Sequence, residues 1–340
     1  MYLMDTWYVA AWASEVNDRP LARKLLDRDI VLFRTANGHV AALEDRCCHR
    51  GVPLSKGKVE GNNIRCGYHG LVFSPAGDCV EVPGQSKVPP LAKVPSFVVI
   101  ERWQLIWIWM GDQKKNNPDL IPNWWWVDHN DWKFIPGNGG KPIPTRCDYR
   151  LVVDNLLDLS HITYAHPDTI GSDDIAKFPA RTERQFDKVR MTRLMPNVEP
   201  SSFYRMAGKF TGRVDRWQIV EVELPCNVDV FAGCAVPNAG VFQGNFNQGT
   251  AFHAVCHPTP ETSTSCHFFY GHARRFRTTD LEMDKVYRTE FLKIFMEDVV
   301  ILEAQQQSLG VDGSFFGMDL IGDAPSIAFR RLLQDRISGR

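Results

Sequence analysis

The sequence predicts an α+β fold in which an all-β N-terminal domain precedes a domain of mixed helices and strands. Three observations support this prediction. Short β-type runs separated by turn signals occupy residues 1–112, residues 290–303 repeat their apolar side chains with helical spacing, and strand-like segments lie between residues 217 and 270. A chain of 340 residues is long enough for two domains of ordinary size.

The N-terminal strands are indicated by apolar runs and by one hairpin signal. Residues 30–33 and 40–43 flank Asn37-Gly38, a dipeptide that favours a two-residue type I′ hairpin. Further β-type runs lie at residues 71–73, 97–100 and 105–110.

A change in composition sets the expected domain boundary. The β-type runs end near Asp112, and residues 113–148 are rich in Pro, Gly and Trp, which suits an irregular connection. We therefore expect one domain over residues 1–112 and a second over residues 113–340, with 113–148 as the connecting segment.

Four potential metal ligands form the pattern Cys-x-His, sixteen residues, Cys-x-x-His: Cys47, His49, Cys66 and His69. Two thiolates and two imidazoles are the ligand set of a Rieske [2Fe–2S] centre, in which two histidines replace two cysteines on one iron. Neutral imidazoles leave less negative charge on the cluster, so its reduction potential rises to about −150 to +300 mV.

A structural zinc site of the Cys2His2 type would use the same four residues. Zinc fingers usually place a cysteine pair before a histidine pair, whereas here each turn supplies one cysteine and one histidine. Each turn can therefore serve both irons of a dinuclear cluster, and the spacing favours the Rieske interpretation.

Charge and hydropathy exclude several classes of partner. The net charge of −1 offers no electrostatic basis for binding nucleic acid or an anionic membrane surface. The apolar run at residues 105–110 is far shorter than the roughly 20 residues of a transmembrane helix. The nine cysteines show no disulfide spacing, which fits a reducing compartment, and we expect a cytoplasmic protein.

A second set of potential ligands begins in a helix-like segment at residues 149–161. His161 and His166 are five residues apart, about 140° around an ideal helix, so they converge only if the backbone changes direction between them. Pro167 disfavours helical geometry at His166 and provides such a change. The two imidazoles could then face one metal ion.

An iron site of the 2-His-1-carboxylate type also needs an acid. Residues 290–303 predict an amphipathic helix, and Asp298 lies inside its apolar stripe, where an uncompensated carboxylate would cost several kcal/mol. We therefore expect Asp298 to bind the iron, with an ion pair to Arg216 or Arg274 as the alternative. Glu297 lies nearer the solvated flank and is the weaker candidate. The stripe itself consists of Phe291, Ile294, Phe295, Ile301 and Leu302.

The pattern Asp158-x-x-His161-x4-His166, joined to the upstream Cys/His motif and to Asp298, resembles the oxygenase component of Rieske non-haem iron oxygenases. The similarity covers essentially the whole chain. Within that superfamily, residues 5–10, 153–158 and 259–262 are most similar to the branch of vanillate O-demethylase, dicamba O-demethylase and toluenesulfonate methyl-monooxygenase.

The resemblance implies a Rieske domain followed by a helix-grip-like α+β catalytic domain with an antiparallel sheet. It also implies that Cys47 and Cys66 hold one iron of the cluster, and that His49 and His69 hold the other. The strand-like segments at 217–224, 228–231, 252–256 and 266–270 fit the expected sheet.

The resemblance further assigns the catalytic half. His161, His166 and Asp298 would hold a mononuclear Fe(II), Asp158 would connect the two metal centres between neighbouring subunits, and Asn155 would face the iron. An aromatic substrate would lie between the sheet and the iron. Plausible lining residues are His253, His257, Phe203, Phe242 and Phe246.

The activity implied is that of a Rieske-type monooxygenase that uses O2 to hydroxylate or O-demethylate a small aromatic acid. The sequence has neither a G-x-G-x-x-G fingerprint nor a C-x4-C-x2-C cluster motif, so a separate NAD(P)H-dependent reductase is expected to supply electrons. The implied assembly is a homotrimer. Alternatives are a ring cis-dihydroxylating dioxygenase and a Rieske electron carrier, which would leave residues 113–340 unexplained.

Overall fold

Short antiparallel strands build the N-terminal part of the chain. The computed structural model describes residues 1–172, 174–311 and 317–339. Within these residues the chain forms two units: Tyr2–Ile121 with Thr259–Ser263 make up the first, and the rest of the described chain makes up the second.

The first unit contains three small sheets with strand orders β1-β11-β10, β2-β3-β4-β9 and β5-β6-β7-β8. All neighbouring strands in them are antiparallel. The strands are β1 (Thr6–Trp12), β2 (Leu21–Leu25), β3 (Arg28–Arg34), β4 (Val40–Glu44), β5 (Lys58–Glu60), β6 (Asn63–Arg65), β7 (Val72–Phe73), β8 (Cys79–Glu81), β9 (Ser96–Phe97), β10 (Val99–Arg102) and β11 (Leu105–Met110).

The β3–β4 hairpin differs from the predicted two-residue type I′ turn. Gly38 has a φ of 84°, but Asn37 is not among the residues with positive φ, whereas a type I′ turn needs positive φ at both central positions. The Thr35 amide donates to the His39 carbonyl oxygen and the Gly38 amide donates to Thr35, which makes a longer loop. The hairpin prediction was right and its turn type was wrong.

The second unit contains an eight-stranded sheet of order β12-β19-β18-β17-β16-β15-β14, with β13 paired to β19. Five helices accompany it in the described residues. The strands are β12 (Lys133–Pro136), β13 (Ile143–Thr145), β14 (Arg181–Gln185), β15 (Lys188–Val198), β16 (Val214–Glu223), β17 (Asn227–Ala235), β18 (Phe252–Thr262) and β19 (Ser265–Arg274), and the helices are α1 (Tyr149–Leu157), α2 (Ile162–Ala165), α3 (Ser202–Gly208), α4 (Leu281–Leu309) and α5 (Ala324–Ile337).

Helix α4 packs across one face of this sheet through aromatic side chains. Phe291 lies 5.7 Å from Phe252 of β18 between ring centroids, and Phe295 lies 5.2 Å from Phe268 of β19. Both pairs meet edge to face, a favourable arrangement of aromatic rings. Asp280 caps the helix, because its carboxylate accepts from two amides of the first turn.

The opposite face of the sheet has its own apolar cluster. Trp217 and Ile219 of β16 contribute to it, whereas Arg216 and Gln218 of the same strand line the cavity beside α4. Side chains alternate between the two faces of a strand, so residue parity decides which face a side chain reaches.

The predicted amphipathic helix is confirmed within α4, with one exception in its stripe. Phe291, Ile294, Phe295 and Leu302 are buried, as is Asp298, but Ile301 is 49% exposed. Val299 is buried instead, so the buried face of α4 includes a residue that the periodicity did not select.

The predicted fold class is confirmed: a β-rich N-terminal domain precedes a domain that combines an antiparallel sheet with helices. The helix-like segment at 149–161 is shorter than predicted, because α1 ends at Leu157 and the chain turns before His161. None of the helices in the described part of the chain is long and apolar enough to cross a membrane.

Candidate iron–sulfur and mononuclear iron sites

Two loops of the first unit present the Cys/His motif with the same backbone pattern. In the first loop, the Cys47 amide donates to the Val52 carbonyl oxygen and the Gly51 amide donates to that of Cys47. In the second loop, the Cys66 amide donates to the Leu71 carbonyl oxygen and the Gly70 amide donates to that of Cys66. Gly51 and Gly70 have φ values of 71° and 76°, which glycine adopts without steric cost. The two turns therefore hold their cysteines in equivalent positions.

The loops approach each other through two further glycines. A Cβ atom on Gly57 would lie 2.0 Å from the Arg65 carbonyl oxygen, and one on Gly67 would lie 2.6 Å from the Lys56 carbonyl oxygen. Such distances are prohibitive for any larger residue. Glycine at these two positions lets the backbones come close enough for both loops to face one centre.

The four side chains fit the donor set of a Rieske cluster. Cys47 and Cys66 are buried, whereas the His49 and His69 rings are exposed, with centroids 4.5 Å apart. Burial raises the pKa of the Cys47 thiol to about 11, with a further contribution from neighbouring Cys66. Two buried thiols side by side become thiolates only when a cation compensates their charge, as iron would.

The second unit brings His161, His166 and Asp298 together. His161 precedes the short helix α2, and His166 follows it with φ −130° and ψ 49°, which is not helical. The predicted change of backbone direction before Pro167 is therefore present. One potential ligand atom from each of the three residues lies within 4.8 Å of the others.

Asp298 is the shared contact of this group. Its Oδ1 atom lies 3.0 Å from His166 Nε2 and 3.4 Å from His161 Nε2. Asn155 Nδ2 donates to the same oxygen at 3.2 Å. The three candidate ligands and Asn155 thus converge as the sequence predicted, although α1 ends before His161.

The Nδ1 atoms of both histidines are also hydrogen-bonded. Glu297 Oε2 accepts from His166 Nδ1 at 2.7 Å, and the Asp158 carbonyl oxygen accepts from His161 Nδ1. These bonds direct the Nε2 lone pairs toward Asp298, which is the usual arrangement of histidines that bind metals. Sequence reasoning missed this role of Glu297; its position next to Asp298 was the available signal.

The electrostatics of the group favour a bound cation. Burial acts to raise the pKa of Asp298, but hydrogen bonds and the charges of His161 and His166 outweigh it and lower the pKa. Burial acts to lower the pKa of His166, but Asp298 and Glu297 outweigh it and raise the pKa. Without a metal, the two carboxylates favour a protonated, positively charged His166. A bound divalent metal would supply that positive charge instead.

The alternative ion pairs for Asp298 do not form. Arg274 Nη2 donates to Asp284 Oδ1 at 2.6 Å, and Arg216 donates to Ile170 and Ser172. The histidines and Asn155 are therefore the polar contacts that compensate Asp298, in agreement with a metal site rather than a structural salt bridge.

Comparison with protein families agrees with both sites. Residues 6–97 match the Rieske [2Fe-2S] domain, and residues 145–338 match the vanillate O-demethylase oxygenase C-terminal domain. The second match alone covers more than half of the chain. The chain belongs to the vanillate O-demethylase oxygenase family. Its members are oxygenase components of Rieske monooxygenases, so this protein is an oxidoreductase that works with a separate electron-supplying protein.

Individual relatives match nearly the full length of this chain. It is 40% identical over 314 residues to a putative toluene-4-sulfonate monooxygenase iron-sulfur subunit of Comamonas testosteroni, covering 91% of this chain and 89% of that one. It is 37% identical to a vanillate O-demethylase oxygenase subunit of a Pseudomonas species, covering 99% and 95%.

A solved structure with a similar fold contains a non-haem iron. A crystal structure of dicamba monooxygenase with non-haem iron and dicamba superimposes with a TM-score of 0.85 at 29% identity, covering 99% of this chain and 98% of that one. The family match and this similarity show that the cofactors of the oxygenase are a Rieske [2Fe–2S] cluster and a mononuclear iron.

A cavity opens directly beside the His161, His166 and Asp298 group. The sheet contributes apolar side chains to its wall, and α4 contributes Phe291, Ile294 and Phe295. Tyr204, Arg216, Gln218 and His272 add polar groups to the same wall. Mostly apolar walls with a few polar groups are typical of sites for small organic ligands.

His253 and His257 do not line this cavity, contrary to the sequence-based prediction. The His253 ring stacks on Trp126 and its Nδ1 lies 2.9 Å from Asp229, while His257 Nδ1 lies 2.6 Å from Asn227 Oδ1. Phe252 and Ala254 of β18 line the cavity, so the odd-numbered histidines face the other side of the sheet.

The predicted aromatic lining residues are likewise elsewhere. Phe246 packs with Trp217 in the opposite apolar cluster, and Phe242 is partly exposed. Phe203 is buried against Phe252 and Phe291 without lining the cavity. Phe203 lies on α3, and Phe242 and Phe246 lie in the connection between β17 and β18, so their packing depends on tertiary contacts that sequence positions alone do not supply.

Asp158 lies at the outer edge of the same helical segment. Its Oδ1 accepts from the Ser160 amide at 3.0 Å and from the Ser160 hydroxyl. Together with Asn155 and His161, which also line the cavity described above, it lines a surface depression. Asp158 therefore reaches the surface while its own carbonyl oxygen holds His161.

Proposed function

We propose that this oxygenase hydroxylates or O-demethylates a small aromatic acid with O2 and electrons from an NAD(P)H-dependent reductase. The observation that carries the proposal is the mostly apolar cavity directly beside the convergent His161, His166 and Asp298 side chains. The relatives named for toluene-4-sulfonate and vanillate act on aromatic acids, which agrees with this choice of substrate.

We propose His161, His166 and Asp298 as the ligands of the mononuclear iron, and Cys47, His49, Cys66 and His69 as those of the cluster. When bound, the cluster would supply single electrons and the mononuclear iron would activate O2. The donor sets match: two buried thiols with two exposed imidazoles for the cluster, and two imidazoles with one carboxylate for the iron.

The surrounding residues would hold these ligands in place. Asn155 fixes Asp298 through the bond to Oδ1, and Glu297 fixes the His166 ring through Nδ1. The Asp158 carbonyl oxygen does the same for His161. With both Nδ1 atoms committed as donors, both Nε2 atoms remain free to coordinate.

The cavity wall would place the substrate and exclude water. An aryl ring can pack between the aromatic side chains of α4 and the apolar residues of β17 and β18. Hydroxylation of an aryl methyl ether gives a hemiacetal, which releases formaldehyde and a phenol. Hydroxylation of an aryl methyl group gives a benzylic alcohol. Either reaction uses one O2, two electrons and two protons, and releases one water.

We propose Asp158 as the residue that connects the two metal centres across a subunit boundary in a homotrimer. Its position supports this role, because its backbone holds an iron-ligand histidine while its side chain lies at a surface depression. A carboxylate there could accept a hydrogen bond from a cluster histidine of a neighbouring subunit.

Single-turnover chemistry tests the proposed function. The iron-loaded, dithionite-reduced protein is mixed with ¹⁸O-labelled O2 and a panel of aryl methyl ethers and methyl-substituted aryl acids. We expect a phenol with formaldehyde, or a benzylic alcohol that carries one labelled oxygen atom. Absence of any oxidised product across the panel would refute the proposal. Incorporation of two atoms into a cis-diol would instead identify a ring dioxygenase.

A further inference from the structure

Arg216 is a buried cation in the wall of the cavity that the proposed iron ligands share. It lies on β16 and is 2% exposed. Nη2 donates to the Ile170 carbonyl oxygen at 3.1 Å and Nη1 donates to the Ser172 hydroxyl at 3.3 Å, but Nε has no hydrogen-bond partner in the described chain. Guanidinium groups stay protonated in proteins, so this burial carries a full positive charge.

Within the described part of the chain, Arg216 has no acidic side chain as an ion-pair partner. Among the described residues that line the cavity, Arg216 is the single lysine or arginine and Asp298 is the single carboxylate. Asp298 is already in contact with His161 and His166, and no described carboxylate forms an ion pair with Arg216. The adjacent Asp215 accepts from the Asn197 and Asn238 amides instead.

Burial of an uncompensated charge is expensive, and proteins generally compensate it with a counter-ion. Among the described residues, this compensation comes from two neutral acceptors and from Tyr204, whose ring centroid lies 5.0 Å from the guanidinium carbon. Divalent iron with one carboxylate ligand would retain a net positive charge. The loaded cavity would therefore be cationic at the iron and at Arg216, and would attract an anion.

His272 provides a second unpartnered polar group in the same wall. The residue is 1% exposed on β19, and neither ring nitrogen has a hydrogen-bond partner in the described chain. Burial lowers the pKa of His272 to about 3, so its imidazole is neutral at physiological pH and can donate one hydrogen bond and accept another. A bound molecule with polar atoms in the cavity would give both His272 and Arg216 a hydrogen-bond partner.

We propose that Arg216 binds the carboxylate or sulfonate group of the substrate and that His272 hydrogen-bonds a polar group of the bound substrate. This inference rests on the proposed function, since it specifies the acid group that the cavity accepts. A planar guanidinium pairs well with carboxylate and sulfonate oxygens, and the interaction strengthens in an apolar cavity. Arg216 is then a determinant of specificity for anionic over neutral aromatic compounds.

A comparison of charged and neutral ligands tests the assignment. Isothermal titration calorimetry of the anaerobic, iron-loaded protein is performed with toluene-4-sulfonate, vanillate and other aryl acids, and with their primary amides, which have nearly the same shape but no charge. We expect wild-type protein to prefer the acids. Arg216→Gln should weaken acid binding by roughly 10- to 100-fold and change amide binding by less than about threefold.

Two further variants separate a binding role from a structural one. Arg216→Lys keeps the charge without the planar fork and should retain part of the preference for acids. Arg190→Gln is the matched control: Arg190 is an exposed arginine of β15 that does not line the cavity. It should change acid and amide binding equally. Iron content and cluster absorption establish that each variant is folded and loaded.

The outcomes distinguish this inference from the proposed function. Equal weakening of acids and amides in Arg216→Gln, or a wild type without preference for acids, would overturn the role of Arg216. If acids are bound through Arg216 but are not oxidised in a single turnover, the proposed function fails and the binding site stands. If wild type and Arg216→Gln oxidise acids equally well, the proposed function stands and the role of Arg216 in substrate binding fails.

Discussion

At the scale of single residues, Asp298 shows why a buried acid in an apolar stripe indicates a ligand site. The side chain is 5% exposed and is contacted by two imidazoles and one amide rather than by a lysine or arginine. A divalent cation would compensate the charge of Asp298 better than a shared proton, because each imidazole offers a lone pair that can coordinate a metal.

Asp298→Ala is expected to remove the mononuclear iron and to leave the cluster in place. The variant loses the carboxylate that we propose as the anionic ligand of the mononuclear iron, whereas the proposed cluster ligands Cys47 and Cys66 belong to the other unit. Iron content should fall from about three to about two per chain, with unchanged visible absorption of the cluster. Glu290→Ala, an exposed acid on the same helix, is the control. Bleaching of the cluster in Asp298→Ala would contradict separate sites.

Glu297→Ala is expected to weaken mononuclear iron binding about 10- to 100-fold without abolishing it. The substitution removes the acceptor of the His166 Nδ1 proton, which leaves the ring free to rotate away from the iron. Glu297→Gln retains an acceptor oxygen and should lie between wild type and Glu297→Ala. Competition with a ferrous chelator measures the affinity. Equal iron affinity in wild type and Glu297→Ala would show that Glu297 does not orient the histidine.

At the scale of secondary-structure elements, α1 combines a packing role with the positioning of ligands. It begins at an Asp148 cap, buries Leu151, Val152 and Leu156, and ends just before Asp158. Because α1 ends there, the chain can turn at Ser160 and place His161 beside Asp298. The same helix is joined to α5 by a partly buried ion pair, in which Arg330 Nη1 donates to Asp154 Oδ2 at 3.3 Å.

Asp154, the acid of this α1–α5 ion pair, should make the free energy of unfolding depend on pH. Burial raises the pKa of Asp154 to about 7, although Arg330 and Arg150 partly offset it, whereas an unfolded aspartate has a pKa of about 4. The folded state therefore holds this proton more tightly, and stability should decrease as pH rises from about 4 through 7, by a few kcal/mol at most.

Urea denaturation at pH 5.5 and at pH 8 measures this effect. Asp154→Asn has no proton to release and should show a smaller loss of stability between the two pH values than wild type. Asp335→Asn, which changes a partly exposed acid of α5, should behave like wild type. Identical pH dependence in wild type and Asp154→Asn would mean that Asp154 is ionised throughout this range.

At the scale of the whole molecule, the proposed ligands of the cluster and of the mononuclear iron belong to different folded units. In the proposed reaction an electron must pass from the cluster to the iron. Asp158 is the residue placed to mediate this transfer in the proposed trimer. Its backbone oxygen holds His161, and its side chain is bound only to Ser160 among the described residues.

Asp158→Asn is expected to leave both metal centres loaded and to slow single-turnover reoxidation of the reduced cluster by at least 10-fold. A neutral amide oxygen is a weaker acceptor than a carboxylate for the proposed hydrogen bond from a cluster histidine of the neighbouring subunit, while the backbone oxygen of residue 158 still holds His161. Stopped-flow absorption in the presence of substrate and O2 follows the cluster. Reoxidation at the wild-type rate in a fully loaded variant would exclude Asp158 from the transfer route.

The sequence by itself determined the β-rich N-terminal domain and the long C-terminal helix, and it selected the residues that we propose as metal ligands. These features are local: turn spacing sets which atoms a Cys/His loop presents, and helical periodicity placed Asp298 among buried residues before any contact was known. The convergence of His161 and His166 was also predictable, since Pro167 forces a local change of backbone direction.

Only the tertiary structure decided which side chains complete the sites. Glu297 and His166 are 131 residues apart, and their contact depends on how α4 packs beside α2. The placement of Arg216 and His272 in the cavity, and of His253 and His257 on the far face, depends on strand register, which local sequence specifies poorly. A shift of one residue exchanges the two faces of a strand, so side-chain chemistry could not decide between them.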